Sequence, residues 1–189
     1  MKKAVFIDRD GTLIQEVGYL KMIEDLRFIP GAPEALRIFH GLGYLNIVIT
    51  NQSAVARGIL SPGELRRIHQ KLRALAREEH ARLDDIFFCP HLAGGRIAPY
   101  NIECECRKPK PGMLLQARDK HALDLSQCYM VGDKLSDLEL AANAGAQGVL
   151  VLTGYGAETQ KQLTSKDVAA YRSLHEFALF LRGSSGKKA

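Results

Sequence analysis

The stretch Lys3-Ala4-Val5-Phe6-Ile7-Asp8-Arg9-Asp10-Gly11-Thr12 passes from four consecutive apolar residues to two acids and a glycine. A short run that is apolar throughout, rather than alternating, marks a strand covered on both faces, and such strands belong to parallel sheets. Its carboxyl end falls at Asp8. In extended chain, residues two apart point to the same side, so Asp8 and Asp10 face one ligand, and Gly11 lets the chain turn away at once. Two carboxylates held this close repel. They persist where a cation lies between them, or where one works as nucleophile and the other as proton donor.

Beyond this strand the pattern alternates helix with strand. Pro30-Gly31 opens a helix with Pro33 in its first turn and Ala35, Leu36, Phe39 and Leu42 at helical spacing, and Gly41 and Gly43 stop it. Residues 44–50 follow as a second strand. Ser61 and Glu64 form a capping box for a basic helix running to about Arg82, and residues 86–88 read as a third strand. Residues 89–110, punctuated by Pro90, Gly94, Gly95, Pro99 and Pro109, have no periodicity and predict a long functional loop. Helix 111–121, strand 128–131, helix 135–143, strand 148–152, a last strand at 168–171 and a helix opened by a Ser173/Glu176 capping box complete the pattern. This predicts an α/β fold, a Rossmann-like parallel sheet with helices on both faces, its ligand crevice at the carboxyl ends of the strands. One domain is expected over residues 1–182, with loop 89–106 inserted, and a flexible tail over 183–189.

The 189 residues are 46% hydrophobic and 25% charged, which suits one well-buried core and excludes extensive disorder or a fibrous array. Apolar runs such as Ala4 to Ile7 fall far short of the ~20 residues needed to cross a bilayer, so no membrane association is expected. The basic start Met1-Lys2-Lys3 is followed by too short an apolar stretch for a signal peptide, and a cytoplasmic location follows as the expectation. There the cysteines stay reduced. The balance of 26 Lys and Arg against 21 Asp and Glu, a net charge of +5, suits anionic ligands weakly, since runs such as Arg66, Arg67, Lys71, Arg73, Arg77 are usually solvated faces.

The residues just past the strands are chemical groups: Asp8 and Asp10 after the first, Thr50-Asn51-Gln52-Ser53 after the second, and Gly132-Asp133-Lys134 with Asp137 after the fourth. Asp133 offers a further oxygen to a hard ion such as Mg²⁺. Asp8-Arg9-Asp10-Gly11-Thr12, the apolar strand ending in Thr50, the Lys108-Pro109 step and Gly132-Asp133 with Asp137 resemble the four motifs of the haloacid dehalogenase-like phosphohydrolases, in that family's order. The resemblance implies that Asp8 is the nucleophile that forms an aspartyl-phosphate. It also implies that Asp10 protonates the leaving oxygen and then deprotonates water, and that Thr50 and Lys108 steady the phosphoryl group. Mg²⁺ would be held by Asp8, the Asp10 carbonyl and Asp133.

Cys89-x-His91, twelve residues, then Cys104-x-Cys106 places three thiols and an imidazole within 18 residues, a closed tetrahedral set for structural Zn²⁺. Zinc there would pin the loop and fix Arg107 and Lys108, which follow its last ligand. Cys128 reads as core. Together with Cys106 to Met113, Thr50 to Ser53 followed by Ala56-Arg57-Gly58, and Val131 to Lys134, this set looks like the heptose 1,7-bisphosphate phosphatase group, relatives of the phosphatase half of bifunctional histidine-biosynthesis enzymes. In that group a zinc loop replaces a large cap domain. Lys110, where the group often has histidine, and Ala54-Val55, where Gly-Ile is common, depart from it. The resemblance implies removal of the 7-phosphate of D-glycero-D-manno-heptose 1,7-bisphosphate in lipopolysaccharide core precursor biosynthesis. It further implies that Arg107 recognises substrate and that Lys134, Glu16, Val17, Gly18, Tyr19, Asn51, Gln52 and Ser53 line the site.

Two other activities compete with this reading. Histidinol phosphate carries an ammonium that Arg107, and Arg57 or Lys110 beside it, would repel, whereas a second phosphate explains a surplus of cations. A zinc module gripping nucleic acid through Arg107, Lys108 and Lys110 leaves the strand-end acids unexplained and has only Tyr100 near the loop for stacking. A phosphatase acting on DNA 3′ ends, as other branches of the superfamily do, is separated by an assay with a 3′-phosphorylated oligonucleotide. The expected partner is a small sugar bisphosphate, without nucleic acid, and the chain is expected to be a monomer.

Overall fold

The computed structural model describes residues 1–163 and 168–185. Its elements run β1 (Lys3–Ile7), α1 (Ala32–Gly41), β2 (Tyr44–Asn51), α2 (Pro62–Glu78), β3 (Asp85–Cys89), α3 (Gly112–His121), β4 (Tyr129–Gly132), α4 (Leu135–Ala144), β5 (Gln147–Val151), α5 (Gly156–Gln162), β6 (Ala169–Tyr171) and α6 (Leu174–Ser185). The six strands form one sheet in the order β3-β2-β1-β4-β5-β6, and every pairing is parallel. The chain builds outward from β1 to β3, then returns to lay β4 on the other side of β1. That reversal is the topological switch point, where a crevice opens beyond the strand ends.

Both faces of the sheet are covered, and the two-residue period of β1 shows how. Val5 and Ile7 join Leu36 and Phe39 of α1, Ile68 and Leu72 of α2, and Phe177 of α6 on one side. Ala4 and Phe6 join Met113 and Leu114 of α3 and Leu140 of α4 on the other, with Cys128 in this second core. Phe177 packs its ring 5.7 Å from Phe39 and 5.2 Å from Tyr129, and each such burial contributes roughly 1.5–3 kcal/mol. Apart from the half-buried Tyr129, all of these side chains are essentially excluded from solvent.

Helix boundaries follow local chemistry. Ser61 Oγ accepts from the Glu64 N–H and the Glu64 carboxylate accepts from the Ser61 N–H, the reciprocal cap expected of that sequence. The helix stops at Glu78 rather than near Arg82, because His80 takes a left-handed φ of 53° and the Ala81 N–H returns to the Ala76 carbonyl. At α6, Ser173 Oγ caps the Glu176 N–H, while the Glu176 carboxylate turns to the Arg172 N–H and guanidinium instead of closing the box. The tail expected from Gly183 begins inside α6, which runs to Ser185, and residues 186–189 lie outside the described residues. Helix α5 was not expected, as it is short and lacks an apolar stripe. No helix among the described residues is long and apolar enough to cross a membrane.

Candidate active site

Adjacent β1 and β4 bring their following acids together. The Asp8 N–H donates to the Val131 carbonyl at 2.9 Å, so Asp8 and Asp133 leave neighbouring strands side by side. Asp137, in the first turn of α4, caps the Lys134 N–H with Oδ2 at 3.1 Å. Carboxylate oxygens of Asp8, Asp133 and Asp137 lie within 4.8 Å of one another, all buried. Glycine makes this crowding geometrically feasible: a Cβ on Gly11, whose φ is +85°, would stand 2.3 Å from Asp133 Oδ2, and one on Gly132 would stand 2.2 Å from Asp137 Oδ2.

Lys108 answers these charges. Its Nζ donates to Asp8 Oδ1 at 2.7 Å, to Asp137 Oδ1 at 2.6 Å and to the Ile49 carbonyl at 3.2 Å. Burial works against the ammonium, yet Asp137 and Asp8 hold its pKa well above the ordinary lysine value. Burial pushes the Asp8 carboxyl up to about 7 despite the opposing pull of Lys108, with Asp137, Asp133 and Asp10 adding to the rise. Burial likewise lifts Asp133 to about 6, against a hydrogen bond from the Tyr155 N–H. Three acids against one ammonium leave a net negative cluster, and the buried Asp133 Oδ1 has no hydrogen-bond partner. An all-oxygen set with an orphaned buried acceptor fits a hard divalent cation.

Asn51 and Lys108 clamp each other. The Asn51 side chain accepts from the Lys108 N–H at 3.1 Å and donates to the Lys108 carbonyl at 3.2 Å, so the end of β2 sets where the lysine emerges. Gln52 Nε2 bridges Thr50 Oγ1 and Asp10 Oδ2, both at 2.9 Å. The buried Thr50 and the half-covered Asp10 thus share one donor.

A cleft of 340 Å³ opens above these groups, lined by Asp10, Glu16, Gly18, Tyr19, Asn51, Gln52, Ser53, Arg107, Lys108 and Lys134 among others. Val17 is 46% exposed and is not among the lining residues. Leu20, Ala54 and Ser136 line it in addition, and Asp137, which the sequence marks only as part of a motif, joins the buried acids that Lys108 contacts and, like Asp8 and Asp133, does not itself line the cleft. The signal for Asp137 was its place one turn after Asp133. Lys134 Nζ reaches Glu16 Oε2 at 3.4 Å and lies 4.8 Å over the Tyr155 ring. Arg107 Nη1 donates to the His91 carbonyl at 3.2 Å, tying the cleft wall to the inserted loop. Lys110 instead pairs with Glu105 at 3.0 Å and, like Arg57, stays outside the lining, so neither adds a cation to the cleft.

The loop residues Cys89, His91, Cys104 and Cys106 converge, with ligand atoms within 4.8 Å of one another. Cys89 and Cys104 sulfurs are 3.4 Å apart, Cys104 and Cys106 3.3 Å, and His91 Nδ1 stands 3.3 Å from Cys106 Sγ and 3.7 Å from Cys89 Sγ. A tetrahedron with Zn–S of about 2.3 Å and Zn–N of about 2.0 Å has edges of about 3.5–3.8 Å, close to this set. None of the four cysteines is in a disulfide.

Comparison with known proteins agrees with this architecture. The HAD-hydrolase-like family model matches residues 105–176. The D-glycero-D-manno-heptose-1,7-bisphosphate 7-phosphatase of Thermosynechococcus vestitus is 45% identical over 159 residues, 82% of this chain and 81% of that protein. The D-glycero-beta-D-manno-heptose-1,7-bisphosphate 7-phosphatase of Escherichia coli K12 is 40% identical over 153 residues, 80% of each. The crystal structure of the D,D-heptose 1,7-bisphosphate phosphatase from B. bronchiseptica, complexed with magnesium and phosphate, superposes with a TM-score of 0.85 at 32% identity, covering 97% of this chain and 99% of that one. Strand-end acids at the switch point, a lysine bridging them and near-full-length similarity converge: the chain belongs to the heptose-1,7-bisphosphate 7-phosphatase family of HAD-like hydrolases.

Proposed function

We propose that this chain is a Mg²⁺-dependent phosphoric monoester hydrolase that removes the 7-phosphate of a D-glycero-D-manno-heptose 1,7-bisphosphate, on the way to activated heptose for lipopolysaccharide core. The observation that carries the reading is the buried contact of Lys108 with both Asp8 and Asp137 beneath a cleft that Arg107 and Lys134 also line. One phosphate engages Lys108, and the remaining cations suit a second.

Asp8 is the nucleophile in this reading. Its carboxylate oxygen attacks phosphorus while the bond from phosphorus to the sugar oxygen breaks, and Asp10 gives that oxygen its proton. Asp10 then takes a proton from the water that attacks the aspartyl-phosphate, which restores Asp8 and releases inorganic phosphate. Lys108 and Thr50 hold the phosphoryl oxygens through both steps. Asp8, the Asp10 carbonyl and Asp133 would hold Mg²⁺, with Asp137 beside them, and the ion when bound supplies charge neutralisation for the anionic phosphate. Cys89, His91, Cys104 and Cys106 would hold structural Zn²⁺, keeping the loop and Arg107 in place. Residues 1–182 act as one catalytic domain.

The test is phosphate release from heptose 1,7-bisphosphate, histidinol phosphate and a 3′-phosphorylated oligonucleotide. The bisphosphate is expected to have the highest kcat/KM. A preference for either of the others overturns the substrate while leaving the phosphatase chemistry standing.

A further inference from the structure

Arg9 is the middle residue of the acid-x-acid run, and the sequence gives it no role. In the fold it is 1% exposed, the largest fully buried side chain of the molecule among the described residues. Its guanidinium folds back on the next residue: Nε lies 3.1 Å from both Asp10 oxygens, and Nη2 is 3.0 Å from Oδ1 and 2.9 Å from Oδ2. The remaining arm, Nη1, stands 3.3 Å from Nε2 of His69 on α2. His69 is itself buried, edge-on to the Phe88 ring with centroids 5.2 Å apart.

A guanidinium only donates, so His69 Nε2 accepts, which places the ring proton on Nδ1 and leaves the imidazole neutral. Burial, reinforced by the Arg9 charge, pushes the His69 pKa down to about 3, in keeping with that state. A planar fork engaged on Asp10 by one edge and on His69 by its other arm has no freedom to rotate. The Asp10 carboxylate is therefore fixed by Arg9 on one side and by Gln52 on the other.

We propose that His69 is a positioning residue for the phosphatase reaction: acting through Arg9, it holds the Asp10 carboxyl in the orientation from which the proton reaches the leaving oxygen. This rests on the reading of Asp10 as proton donor. A buried histidine that merely fills space would tolerate an apolar replacement of similar size without a selective effect on chemistry. A histidine that orients the donor matters most where the leaving group needs a proton. A sugar oxygen needs one. A nitrophenolate departs with little help.

The experiment measures kcat/KM, which reports steps up to transfer onto Asp8, for heptose 1,7-bisphosphate and for p-nitrophenyl phosphate in His69→Leu, His69→Gln, Arg9→Lys and Asp10→Asn. His69→Leu is expected to lose about tenfold to a hundredfold on the sugar ester and under about twofold on the aryl ester. His69→Gln, whose side-chain oxygen can accept from Nη1, recovers most of the loss. Arg9→Lys keeps the charge without the fork and shows the same selectivity, which serves if His69→Leu does not fold. Equal losses on both esters in His69→Leu and Arg9→Lys, or a Gln variant no better than Leu, overturn the inference. Asp10→Asn separates the two readings: if it shows no leaving-group selectivity, Asp10 is not the proton donor and the inference falls with it. If Asp10→Asn is selective and the His69 and Arg9 variants are not, only the inference fails.

Discussion

Lys108 Nζ lies 2.7 Å from Asp8 Oδ1, although 100 positions separate the two residues in the chain. Neither group has solvent to fall back on, with side-chain exposures of 4% and 5%. The lysine is therefore the main local counterweight to burial and to the other acids in keeping the Asp8 carboxyl from rising further. A carboxylate acts as a nucleophile only when ionised, so this contact ties the exit of the Cys/His loop to the end of β1.

Lys108→Met keeps a comparable volume and removes the charge. We expect kcat/KM for the bisphosphate to fall by about 10²–10³, the loss typical of removing one preorganised donor. Steady-state phosphate release, with circular dichroism to verify folding, checks this. Activity within about tenfold of wild type contradicts it.

Asp8→Asn is expected to reduce phosphate release to background with zinc content unchanged, since an amide cannot form the acyl-phosphate. The same variant carries a stability signature in chelated, Mg²⁺-free protein. Burial raises the Asp8 carboxyl to about 7 from its ordinary value of 3.8, so between those values the folded state holds a proton that the unfolded chain has lost. Unfolding free energy then falls as pH rises from about 4 to about 7, by at most about 1.4 kcal/mol per pH unit from this group. Urea melts across that range should show a shallower decline in Asp8→Asn than in wild type. Identical slopes would refute the sign.

Elemental analysis should find one zinc per chain, distinct from an exchangeable Mg²⁺. Thiolates favour the softer ion and carboxylates the harder one. EDTA is expected to abolish activity quickly and reversibly on Mg²⁺ replacement, whereas Cys104→Ser loses zinc. Protein without zinc, with the Cys104 and Cys106 thiols titratable in the native state, would rule the site out.

Arg107→Ala should weaken the bisphosphate reaction by about one to two decades in kcat/KM, the equivalent of roughly 1.5–3 kcal/mol for a charge-assisted pair. A simple monophosphate should lose less. Because Arg107 also donates to the His91 carbonyl, zinc content is measured alongside. An equal loss on both substrates with zinc retained would remove Arg107 from recognition of the second phosphate.

Features with a fixed local period or spacing are legible in the amino-acid order alone. Apolar runs ending in acids marked β1 and β4, the Ser61/Glu64 pair marked the start of α2, and the Cys-x-His and Cys-x-Cys spacings marked the loop cluster, because these patterns express local geometry with fixed periods. Helix α5, seven residues without an apolar stripe, had no such period to show. Which distant groups meet depends instead on strand order and packing. The order β3-β2-β1-β4 sets Asp133 beside Asp8, the Asn51 clamp aims Lys108 at Asp8 and Asp137, and the packing of α2 against the sheet delivers His69 to Arg9. Spacing along one strand says which side a residue faces. Only strand order and helix packing say what it finds there.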